Sequence, residues 1–165
     1  MNNAQRTFVA LIAVMIVQAV YYYSQLPETV ASHFDGSGQA DGWSSKMAFF
    51  LIMLGTVAAM ALLFLALPKS FAKIPARYVS LPNRDYWLSD EKRGDTMRHI
   101  EGEMGWFGVG TILLLIVIQQ LTINANLDSD PALSSTPWWI LGGYLLFTVV
   151  WTIRFVIYFT RTGSR

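Results

Sequence analysis

The sequence predicts an all-α integral membrane protein with four transmembrane helices and both termini in the cytoplasm. Three observations carry this. Hydrophobic residues make up 53% of the chain and charged residues only 14%, against about a quarter charged in a soluble domain. The apolar residues gather into four runs, 8–23, 47–67, 106–123 and 138–159, each near the ~20 residues a helix needs to cross the hydrocarbon core. Basic residues collect between the second and third runs.

Unpaired backbone groups are costly in lipid, so apolar runs of this length read as helices. The alternating pattern of a membrane barrel strand is absent. Helices are expected near 7–24, 47–67, 105–123 and 138–160, in one multi-pass domain of residues 1–165 with a cytoplasmic loop at 68–104. The first run follows a single basic residue, Arg6, and is followed by Pro27 and Glu28 in place of a small-residue cleavage site. It is read as an uncleaved span.

Charge sets the orientation. The segment between the second and third runs holds Lys69, Lys73, Arg77, Arg84, Lys92, Arg93 and Arg98, and the tail holds Arg161 and Arg165. Loops rich in Lys and Arg stay in the cytoplasm. Residues 24–46 and 124–137 are therefore expected outside. Tyr21, Tyr22, Tyr23, Trp43, Trp138 and Trp139 stand at the predicted outer borders, as an interfacial aromatic belt does.

The outer stretch 24–46, SQLPETVASHFDGSGQADGWSSK, is the most polar part of the chain outside the middle loop. Pro27 stops the first helix. Asp35-Gly36-Ser37-Gly38 and Asp41-Gly42 are turn signals, and Ser44 or Ser45 is placed to cap the second helix. Glu28, His33, Asp35, Asp41, Trp43 and Lys46 form its candidate ligand-binding set. The ligands are too few and too widely spaced for zinc, and the calcium-loop Gly and Glu are missing. No metal site, cofactor or catalytic group is assigned. The chain has no cysteine, so disulfides and thiol chemistry are excluded.

Inside the runs, Gln18, Gln119, Gln120 and Thr122 fall at similar depth near the outer border. Helix–helix hydrogen bonding is the plain reading of such groups, and a ligand role for Gln18 and Gln119 is the sharper one. Arg154 lies close enough to the inner border to snorkel. Gly55 with Ala59, and Gly142 with Gly143, read as small-residue packing faces. In the middle loop, residues 89–105 look helical, with Ser89 as N-cap, and are placed to lead straight into the third helix. His99, Glu101 and Glu103 do not share a helical face, which argues against an enzyme. Acidic residues interleave with the basic ones there, which argues against nucleic acid as a partner.

Two separated blocks carry a family resemblance. The first comprises Leu26, Pro27, His33, Phe34, Gly38, Gly42, Trp43, Ser45 and Lys46. The second comprises Pro82, Asn83, Tyr86, Trp87, Leu88, Glu91 and Arg93. In this order, across roughly residues 8–125, they resemble a bacterial membrane domain of unknown function found at the N-terminus of SdpI-type immunity proteins. The resemblance implies a multi-pass protein of the bacterial cytoplasmic membrane. It also implies an outer recognition loop for a secreted membrane-active peptide, and a cytoplasmic motif, Asn83, Asp85, Tyr86, Trp87 and Arg93, that holds a regulator. Beside the lipid bilayer, an extracellular peptide, a cytoplasmic regulator and a second copy of the chain are the partners considered. A small transporter or an accessory subunit of a transport complex is the competing function. Tyr86 and Trp87 flanked by cations also suit a segment lying at headgroup depth.

Overall fold

The computed structural model describes residues 1–71 and 73–161. Ala72 of the middle segment and residues 162–165, with the tail residue Arg165, lie outside the described residues. Four helical spans are long and apolar enough to cross a membrane: Asn3–Tyr23, Lys46–Phe71, Arg93–Leu127 and Thr136–Thr160. A multi-pass protein in a lipid bilayer follows from their length and composition.

Helix α1 (Asn3–Tyr23) opens with a capping box. Asn2 Oδ1 accepts the Gln5 N–H, and Gln5 Oε1 accepts the Asn2 N–H. Residues 24–45 then fold into an antiparallel hairpin of β1 (Thr29–Phe34) and β2 (Ala40–Ser45), where the sequence suggested only turns. Ser45 caps helix α2 (Lys46–Ala61) by accepting the Ala48 N–H at 3.2 Å. Helix α2 continues through a π-helical turn at Leu62–Ala66 into α3 (Leu67–Phe71). Pro68 has no N–H to give to the carbonyl four residues back, which accounts for the widened turn there.

The middle segment contains a 3₁₀ turn, Ala76–Tyr78, and the short helix α4 (Arg84–Trp87). Helix α5 (Arg93–Leu127) has 35 residues and so spans about 52 Å, well beyond the ~30 Å hydrocarbon core. Its first turns lie in the segment 89–105 read from the sequence as a helix leading into the third span, and its last turn includes Asn124 and Asn126, expected to be loop. The cap is Lys92 rather than Ser89; the Ser89 hydroxyl donates instead to the Tyr86 carbonyl at 3.1 Å. Helix α6 (Thr136–Thr160) closes the fold.

Helices α1, α2 and α5 form the packed bundle. At the hairpin end, Met15, Ala19, Leu26, Val30, Phe50, Met53, Val57 and Ile123 make one cluster. Midway, Phe8, Phe64, Val109 and Ile112 make a second. Gly108 lets Phe64 approach: a Cβ there would stand 2.7 Å from the Phe64 ring, the usual reason for small residues at membrane helix crossings. At the other end, Leu88, Met97, Ile100 and Phe159 make a third. The start of α1, which bonds to Glu101, and the end of α6, which bonds to Asn83, lie at that end, opposite the hairpin.

Helix α6 is peripheral. Its central apolar stretch has no buried residue, and it meets α5 through Phe107, Tyr144, Phe147 and Trp151. The expected packing faces are not used. A Cβ added at Gly55, Gly142 or Gly143 would meet open space, because α2 and α6 turn other sides toward the bundle.

Candidate functional site

The hairpin cap contains most of the candidate ligand-binding residues, and each is placed by a definite contact. Asp35 builds the tip. Its carboxylate accepts the Ser37 N–H at 2.8 Å, the Ser37 hydroxyl at 2.7 Å and the Gln39 N–H at 2.9 Å. The Ser37 hydroxyl, then the Gln39 amide, hold its pKa below the ordinary carboxylate value, because these donors favour the charged form. Asp35 is thus a turn-forming residue whose carboxylate is engaged by its own loop.

Gly38 follows with φ +89°, and a Cβ there would lie 2.1 Å from the Leu133 carbonyl oxygen. Only glycine permits both the backbone angle and the approach. Across this contact the Leu133 N–H donates to the Gly38 carbonyl at 2.8 Å, and Gln39 bridges Ala132. The α5–α6 connection is thereby tied to the hairpin tip.

Along the strands, the ladder pairs Val30 with Ser44 and Ala31 with Trp43. It then shifts register so that His33 faces Gly42 and Phe34 faces Ala40. The bulge brings His33 Nδ1 into a hydrogen bond with Asp41 Oδ1 on the exposed face. Trp43 is 54% exposed. It borders an open cavity of about 540 Å³ whose walls include Pro27, Thr29, Asn126, Leu127 and Asp128.

Lys46 is 8% exposed although it is a cation. Its Nζ donates to the Leu26 carbonyl at 3.2 Å and to Glu28 Oε1 at 3.0 Å, and sits 5.0 Å from the centre of the Tyr23 ring. Buried cations need such compensation. Lys46 and Glu28 therefore join the start of α2 to the segment that follows α1.

The polar groups of the spans divide. Gln18 Nε2 donates to Gln120 Oε1 at 2.6 Å, and Gln120 Nε2 donates to Asn124 Oδ1 at 2.7 Å. This is the helix–helix chain expected of membrane amides. Gln119 is separate: it is 6% exposed, and neither amide atom has a hydrogen-bond partner.

At the opposite end, the second block docks on the last helix. Asn83, held at φ 50°, donates to the Phe159 carbonyl at 3.1 Å and the Thr160 carbonyl at 2.9 Å. Trp87 Nε1 donates to the Phe159 carbonyl at 2.9 Å, and its ring stacks on Tyr158. The orphan carbonyls that end every helix are thus met here by Asn83 and Trp87. Tyr86 receives a hydrogen bond from Lys92 at 2.8 Å, which raises the Lys92 pKa. Asp85 pairs with Arg84, and Arg93 donates to the Ile74 carbonyl. His99 stacks on Tyr158 while Glu101 accepts from Gln5 at 2.6 Å, so these two face different partners.

Residues 10–57 match the model of a domain of unknown function (DUF1648). The matched segment runs from α1 through the hairpin into α2. No curated protein and no solved structure matches the chain. The hairpin cap and its Lys46 anchor fall within the matched residues. The second block falls outside them.

One residue central to this cap is not among those the sequence marks. Asn126, 4% exposed, clamps Ala31 by accepting its N–H at 2.6 Å and donating to its carbonyl at 2.9 Å; it also donates to the Thr122 carbonyl at 2.9 Å. Its only sequence signal is an Asn just past the apolar run, which reads as loop until the helix is seen to continue. Among the described residues, no group of three His, Cys, Asp or Glu side chains comes together.

Proposed function

We propose that the chain is a binding protein of the bacterial cytoplasmic membrane, with both termini inside, that recognises a cationic membrane-active peptide at the hairpin cap. Protection from that peptide, or signalling its presence, is the resulting role, in line with the resemblance to immunity proteins. The observation that carries the reading is the charge of the cap. Glu28, Asp35, Asp41, Asp128 and Asp130 gather in the two connections at this end, and the single Lys or Arg among them, Lys46, is buried. An acidic rim beside the Trp43 groove suits a peptide that is cationic on one face and apolar on the other. The basic connection 68–92 at the other end supports a cytoplasmic location for that side.

Survival of cells expressing the protein, challenged with a panel of cationic amphipathic peptides, tests the reading. Protection should fall in the Trp43→Ala variant and in the Asp41→Asn/Asp128→Asn double variant at unchanged membrane abundance. Equal survival with and without the protein across the panel would count against it. Orientation is read separately by introducing single cysteines into the cysteine-free chain. Position 130 should label from outside intact cells, and position 90 should not.

A second reading, a small transporter or accessory subunit, draws support from Gln119, whose buried amide has no partner. Such groups line polar paths in transport proteins. Gln119→Leu would abolish transport under that reading and leave peptide protection intact under the first.

A further inference from the structure

Resting on that reading, we infer that the outer edge of β2 is a strand-addition site, at which an extended cationic peptide pairs as the third strand of the sheet. Backbone parity is the starting point. In an antiparallel pair, residues alternate between those that exchange hydrogen bonds with the partner strand and those whose N–H and C=O point away. The Lys46 N–H donates to the Glu28 carbonyl at 2.8 Å, so Glu28 and Lys46 face each other. Two residues along, Val30 and Ser44 do the same. Ala31 and Trp43, one step further, point their amides outward. On the β1 side this is visible, since Asn126 takes both Ala31 groups. On the β2 side the same parity turns the Trp43 N–H and C=O away from β1; the register shift at His33–Gly42 ends this count before Asp41.

The two edges of the hairpin are therefore unequal. The β1 edge is closed by Asn126, and the tip is closed by Leu133 and Ala132. The β2 edge packs mainly on its own partner strand and on the start of α2. Soluble proteins blunt such an edge with Lys, Pro or a covering element. The sequence of β2, ADGWSS, contains neither Lys nor Pro. Asp41, Trp43 and Ser45 are exposed along it while Ala40, Gly42 and Ser44 are half-buried. A peptide strand laid here gains main-chain hydrogen bonds from the edge and side-chain pockets on alternate residues. Its apolar positions would pack beside the exposed Trp43, and its cations would meet Asp41.

The test places the perturbation on the peptide, so the fold of the protein is untouched. The full chain is reconstituted in nanodiscs of neutral phosphatidylcholine, and the probe is an eight-residue alternating Lys-Val peptide with blocked ends. Two versions bear backbone N-methyl groups, one at alternate Val residues and one at alternate Lys residues. Strand addition requires amides of one parity only. One methylated version should therefore bind about tenfold or more weakly, and the other within about twofold of the parent. Equal binding of both versions, with Trp43→Ala still weakening the parent, would overturn strand addition and leave the peptide reading standing. Binding of the parent no greater than to empty discs would remove the peptide reading and this inference with it.

Discussion

Asn126 near the end of α5 brackets Ala31 in β1, taking its N–H at 2.6 Å and giving to its carbonyl at 2.9 Å. One side chain thus stands in for a neighbouring strand. Both groups are buried, and a buried backbone group left without a partner costs about 1–3 kcal/mol. Asn126→Ala is expected to destabilise the cap by that amount for each orphaned group. Amide exchange across 29–34 should quicken while the spans stay protected. Unchanged exchange at Ala31 would show that the clamp is not what holds the hairpin.

The tip depends on the charge of Asp35. Its folded pKa lies below the ordinary value of 3.8, so the ionised form is the one the fold favours. The stabilisation is fully present above 3.8 and is lost as the pH falls below it, through the folded value. Exchange of the Ser37 and Gln39 amides should accelerate on acidification in that window. Asp35→Asn should exchange faster at neutral pH and lose most of this acid response. Retention of the full response in the variant would assign it to another group.

Lys46 and Glu28 form an ion pair at 3.0 Å whose members differ in exposure, 10% for the lysine side chain and 91% for the glutamate. An exposed partner contributes little, about 0–1 kcal/mol. Glu28→Gln should therefore be close to neutral. Lys46→Met should cost about 1.5–3 kcal/mol, the worth of a charge-assisted hydrogen bond, because it also strands the Leu26 carbonyl. Thermal unfolding in detergent compares the two, and equal losses would contradict this assignment.

Asn83 and Trp87 terminate α6 by meeting its last carbonyls. Trp87→Phe keeps an aromatic ring against Tyr158 but removes the donor, and is expected to lose about 1 kcal/mol. Asn83→Ala removes two donated bonds and puts Ala in the left-handed region, which Asn tolerates better. Its loss should therefore be larger. Exchange at the C-terminal turn of α6 should rise in both. A Phe variant as protected as the parent would reduce Trp87 to a packing role.

The sequence by itself determined the spans. Apolar runs of near-membrane length and the absence of barrel alternation leave helices as the only way to satisfy the backbone in lipid. It also narrowed the cap of α2 to Ser44 or Ser45, of which the structure uses Ser45, and marked the turn at Asp35–Gly38, because these are local effects of short polar side chains and glycine. Helix ends were less legible. The helical reading of 89–105 holds from Arg93, but α5 also runs on past Asn124 to Leu127, where polarity no longer distinguishes helix from loop. The hairpin was hidden because its strands alternate only weakly and Ala31 is buried by contact with α5 rather than by a neighbouring strand.

What only the tertiary structure decided are the pairings between residues far apart in the chain. Asn126 with Ala31, Gly38 with Leu133, Gln5 with Glu101, and Asn83 with the end of α6 each join segments that composition treats separately. Their partners are backbone groups or polar side chains, and neither leaves a periodic trace in sequence. Whether a polar residue near a span border meets lipid headgroups, water or a buried carbonyl depends on which helix passes beside it, and that is fixed by packing alone.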